Sequence, residues 1–213
     1  HGPGNSAGVV LFERTPERLT KPEANVDASL TYGSFARNDE SIRATGGTPD
    51  FYATLGYDHT QSDDYEDGNG DLVHSQYDRS IGNFALGWTP DADTLLELSG
   101  AISEGEAAYA GMSMDATQLD YESLGMLFRR ENLSPLLARI EARLSYNYAD
   151  HIMDDFSLRT PGMMMMGASR VDHRVFSGNM LAEFTPASGA KVSTGLDFED
   201  STHRDHDTGT WET

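Results

Sequence analysis

Between His151 and Arg170 the chain reads HIMDDFSLRTPGMMMMGASR. An imidazole and a thioether stand two residues apart, at His151 and Met153, and Met163, Met164, Met165 and Met166 follow behind a Pro161-Gly162 turn. Met112 and Met114 form a second Met-x-Met spacing upstream. Thioether sulfur is a soft ligand that selects Cu(I) over harder ions, and imidazole accepts either oxidation state of copper. Zinc rarely uses methionine. The chain has nine methionines and no cysteine, so thiolate sites, zinc ribbons and disulfides are excluded and methionine is its only sulfur. A lone His-x-Met is commonly a coincidence of composition, and a methionine run also serves as adaptable packing material. The elements that carry these residues decide between the readings.

Those elements read as strands. No window has the i, i+3, i+4, i+7 recurrence of a helix, whereas period-2 alternation recurs along the chain. It runs from Phe51 to Asp58, Leu95 to Ile102, Arg139 to Tyr148 and Lys191 to Glu199. Less regular segments begin near Asn25, Ile42, Gln76, Gln118 and Val175, giving about nine strands in all. From Arg139 to Asn147 the odd positions are polar and the even ones apolar. If that strand continues, His151 and Met153 extend the polar register. Their side chains then share one face with Cα atoms about 6 to 7 Å apart, close enough to converge on one ion.

The connections alternate in length. Short ones carry turn chemistry: GGTPD from Gly46, PDAD from Pro90, ENLSP from Glu131 and PASG from Pro186. Long ones fall between them, from Ser62 to His74, Ser103 to Asp115, Asp150 to His173, and from Ser201 onward. Short turns at one end and long loops at the other are the pattern of an outer-membrane barrel. Trp88, Phe128 and Phe184 sit just before short turns, where such a barrel carries an aromatic girdle. A β-sandwich, the competing architecture, need not sort its loops by length.

A net charge of −20 argues against nucleic-acid partners and favours attraction of cations. The mean hydropathy of −0.51 and the lack of a long apolar run leave no membrane-spanning helix, but a barrel strand is only half apolar. The acidic loop SDDYEDGNGD from Ser62 lacks the closing Glu of a calcium-binding EF-hand and reads as a solvated loop. No nucleophile elbow, HExxH or P-loop occurs, and Asp154 and Asp155 beside His151 do not assemble a triad, so no enzyme is expected.

The opening HGPGNSAGVVLFERTPER resembles the end of the plug domain of TonB-dependent outer-membrane receptors. Together with GNFALGWTPDADTLLELSGAISEGEAAYAG, YADHIMD and PGMMMM, it makes the chain similar to the TonB-dependent copper receptors in particular. The resemblance implies an all-β fold, an antiparallel transmembrane barrel of roughly 22 strands closed by an internal plug. On that reading residues 1–20 end the plug, residues 21–213 form the N-terminal part of the barrel, and the chain is a fragment. The resemblance further implies a protein of the bacterial outer membrane, with membrane lipid and, through the plug, the TonB complex as partners. Copper would be the bound and imported ion, held by His151 and Met153 together with a Cys and a Met from the plug. Met112, Met114 and Met163 to Met166 would form an outer array that captures copper weakly. Two alternatives stand beside this one: a receptor of the same type for another ligand such as a siderophore, with the methionines incidental, and a soluble all-β interaction protein.

Overall fold

The computed structural model describes residues 18–161, 167–186 and 189–206. Its first strands are β1 (Glu23–Tyr32), β2 (Asn38–Gly47) and β3 (Phe51–Ser62). A small hairpin of β4 (Tyr65–Glu66) and β5 (Leu72–Val73) then stands inside the acidic loop. The wall continues through β6 (Tyr77–Trp88), β7 (Thr94–Ala107), β8 (Asp115–Glu131), β9 (Leu137–Asp154), β10 (Ala168–Phe184) and β11 (Val192–His206). All but β4 and β5 form one nine-stranded antiparallel sheet in which each strand pairs with its sequence neighbours.

Alternation divides the sheet into two unlike faces. One face carries Val26, Leu55, Leu86, Leu98, Leu124, Met126, Phe176 and Leu196, all exposed, with Leu196 at 79%. A sandwich would cover such a face with a second sheet; here the uncovered apolar band is the outer surface of a transmembrane barrel wall. The opposite face is polar. On it, Glu141 accepts hydrogen bonds from Arg129 (2.8 Å), Arg143 (2.7 Å) and Arg139, and buried Tyr52 donates to buried Glu97. Gly87 lies directly opposite Tyr52, where a Cβ would overlap the tyrosine ring, so the glycine makes room for this contact.

The short turns sit together at one end and bond to one another. Thr89 donates its N–H to Asp50 and its hydroxyl to Pro49, both at 2.7 Å, Glu131 donates to Asp93, and Thr185 donates to Leu136, the last two at 2.8 Å. Asn132, in the ENLSP turn, holds φ 53°, a left-handed conformation that asparagine tolerates well. Trp88 stands opposite Phe51 on the apolar face at this end, as a girdle residue would.

The strands run farther than the hydrophobic pattern indicates. The stretch Ser103–Asp115 is a loop only from 108 to 114, β9 runs on to Asp154 and β10 already begins at Ala168, and β11 continues through His206. Beyond the apolar band the outward face turns polar, while the inward face carries Leu119, Ala149 and Val171 beside His151. Asp120, Asp150 and Asp172 oppose one another across β8, β9 and β10 on the outward face. Backbone pairing persists there although the apolar positions have changed face. Strands of 17 or 18 residues exceed the 9 to 11 that cross a bilayer, so the outer ends of β8, β9 and β10 stand above it.

Candidate metal site

His151 and Met153 lie near the outer end of β9. Pairing with β10 keeps one register from Asp154 to Arg139, so no bulge interrupts β9 between the polar row and the candidate ligands. Both residues therefore share the inner face with Glu141, Arg143, Ser145 and Asn147. The irregularity lies in β8, where Thr117 is the extra residue between Ala116 and Gln118. His151 has Leu119 and Val171 as its cross-strand neighbours, and Met153 has Ala116 and Ser169. The partners of Met153 are small, whereas those of His151 are the larger apolar side chains Leu119 and Val171.

His59, His74, His173 and His206 each have a hydrogen-bonding partner. Among the described residues none is found for His151, which leaves its imidazole available as a ligand. The ring borders a groove of about 640 Å³ on the inner face, lined also by Tyr77, Arg79, Ser103, Leu119 and Tyr121.

The two aspartates after Met153 have structural work. Asp154 closes a turn by accepting from the N–H groups of Phe156 (3.1 Å) and Ser157 (2.8 Å) and from the Ser157 hydroxyl (2.6 Å). Asp155 accepts from the Gly167 N–H at 2.9 Å and so fixes the two roots of the β9–β10 loop. Met163, Met164, Met165 and Met166 lie outside the described residues. Met114 is half-buried against Gly167, where an added Cβ would stand 3.4 Å from its methyl carbon, and Met112 is exposed. Since Met153 pairs with Ala116, two residues beyond Met114, the β7–β8 loop and the end of β9 meet at one corner.

Three residues that the spacing of motifs did not single out hold this corner together. Arg159 donates Nε to Asp115 Oδ2 at 2.7 Å and Nη2 to Asp115 Oδ1, and also donates Nη1 to the Met112 carbonyl at 2.7 Å. His74 Nε2 lies 2.8 Å from the same carboxylate, and the Tyr109 N–H donates to it at 2.9 Å. Asp115 is wholly buried, and the Arg159 guanidinium, ahead of His74 and the Tyr109 N–H, holds its pKa far below the ordinary carboxylate range against the cost of burial. Three outer loops are thereby tied to one carboxylate. The only sequence signal is an Arg in the Met-rich loop and an Asp at a strand start, 44 residues apart, which no local pattern connects.

No protein-family model and no curated protein sequence matches the chain. Among solved structures, the copper transporter OprC matches with a TM-score of 0.90 and 47% identity over 96% of this chain. The chain spans 32% of the length of that protein. In sequence and in fold the chain thus resembles about a third of a copper transporter, and the likeness holds over nearly the whole length of the chain.

Proposed function

We propose that the chain is part of an outer-membrane receptor that binds copper at its extracellular side and imports it with TonB-derived energy. The observation that carries this reading is the shared register of His151 and Met153 on the inner face above the apolar band, in a chain 47% identical to a copper transporter. The imidazole and thioether supply a soft, two-ligand anchor for the ion, which is the cargo and not a resident cofactor. Two ligands alone bind weakly, so further ligands complete the set. Met114 and Met112, carried to the same corner by the Arg159–Asp115 tie, serve as entry ligands. Met163 to Met166, rooted between Asp155 and Gly167, extend the same array. Membrane lipid covers the apolar face, and the TonB complex acts through the plug.

A receptor for an organic chelate would offer aromatic and arginine side chains to its lumen. Of the inner-face arginines, Arg129, Arg139 and Arg143 converge on Glu141, which favours a structural role for those three, while Arg79 with Tyr77 and Tyr121 lines the groove beside His151. The test is copper binding to the full-length protein in detergent, measured by metal analysis after size exclusion, wild type against the His151→Ala, Met153→Ala double variant. Stoichiometric copper that falls sharply in the variant supports the anchor. Equal copper in both overturns it.

A further inference from the structure

Strand pairing brings together two histidines that stand 30 residues apart in sequence. His173 of β10 is directly opposite His203 of β11, and both belong to the inner face, His173 by the same parity as Ser177 and Asn179, His203 by that of Glu199 and Ser201. Their rings meet edge to face with centroids 5.6 Å apart at 62°. An imidazole nitrogen about 2.0 to 2.1 Å from an ion sets its ring centroid roughly 3 Å from that ion, so two rings on one ion at a near-tetrahedral angle have centroids roughly 5 Å apart. The observed spacing is therefore near that of a chelating pair before any ion has drawn it in.

The orientation of the pair is supported from outside it. His173 Nε2 lies 2.8 Å from the Ser201 hydroxyl, and Ser201 precedes His203 by two residues on the same face. A hydrogen bond at one ring nitrogen fixes the tautomer and presents the other nitrogen to a metal, the usual outer-shell arrangement for a ligating histidine. No hydrogen-bond partner is found for His203 among the described residues, and both rings are exposed on the inner face. Asp197, Glu199 and Asp205 line the same face of β11 and make it attractive to cations.

We propose that His173 and His203 form a second metal site, anchored by nitrogen ligands, that takes Cu(II) or a similar borderline divalent ion. Its chemistry differs from that of the His151–Met153 pair: without a thioether it has no preference for Cu(I), and imidazole suits Cu(II) and Zn(II). Its place is also distinct. His173 is level with Ala149, two residues inward of His151 along β9, so the pair stands one step deeper beside the proposed entry site. The two rings anchor the ion, carboxylates of the same face such as Asp205 and water complete its set, and the inference does not depend on the His151–Met153 reading.

The test uses the full-length protein in detergent in a His151→Ala, Met153→Ala background, with and without His173→Gln and His203→Gln. Cu(II) is titrated at equilibrium and read by electron paramagnetic resonance, and Ag(I), a Cu(I) analogue, is titrated in parallel. The expected result is loss of one equivalent of nitrogen-coordinated Cu(II) when the two histidines are replaced, with Ag(I) uptake unchanged. An unchanged Cu(II) signal overturns the proposal. The single His203→Gln variant, at an exposed position, is expected to give the same loss, and the strand band in circular dichroism checks that each variant keeps its fold. A failure of the His151–Met153 anchor would show in the comparison of wild type with the background variant and leave this outcome unaffected.

Discussion

Replacing Arg159 by Ala removes the bidentate partner of the wholly buried Asp115 carboxylate. Breaking a buried ion pair from one side costs about 3 to 5 kcal/mol, because the remaining charge stays desolvated and uncompensated. Arg159 is itself 21% exposed, and Asp115 retains His74 and the Tyr109 N–H, so the lower end applies. A local loss of about 3 kcal/mol corresponds to roughly a 100-fold rise in the open population of the loops. Hydrogen exchange of the full-length protein in detergent reads this directly. Amides in 108–115 and 155–161 should lose roughly two orders of magnitude of protection, while those of β6 and β7 near the short turns should not change.

Arg159→Lys keeps the charge without the fork and is expected to fall between the two. The pH dependence follows from the sign of the Asp115 shift. Its folded pKa lies below the unfolded value, so its contribution is complete above the ordinary aspartate value near 4 and is lost as pH falls through that value toward the folded one. Protection corrected for intrinsic exchange should therefore decline on acidification below about pH 4 in wild type and much less in Asp115→Asn. Wild-type protection of these loops in Arg159→Ala would refute the idea that one carboxylate holds them.

Two further outcomes test the wall itself. Glu141→Ala leaves Arg129, Arg139 and Arg143 facing one another without their shared carboxylate, and should lower the unfolding free energy by about 3 kcal/mol, seen as a lower denaturant midpoint. Leu124→Arg, on the apolar face, should cost about 2 to 4 kcal/mol in a bilayer, whereas the adjacent Ser123→Arg, on the polar face, should be nearly neutral; equal costs would contradict the assignment of faces.

Much of this protein was determined by local chain geometry and so is legible in sequence. Successive side chains on a strand alternate sides whatever the strand pairs with, which is why the row Arg139, Glu141, Arg143 already placed His151 and Met153 on one face. Turn chemistry at PDAD and ENLSP, and the sorting of loops by length, likewise needed no tertiary information to suggest a barrel. Strand ends above the apolar band were hidden, because there the outward positions change from leucine to Asp120, Asp150 and Asp172 while Leu119, Ala149 and Val171 turn inward, so the apolar row changes face while the backbone bonds continue. Register between strands was hidden too, since it depends on turn lengths and on the extra residue at Thr117. Only that register sets His173 against His203, and only the convergence of three separate loops puts Arg159 and His74 on Asp115. Parity is a property of one strand, whereas meeting across strands is a property of the whole sheet.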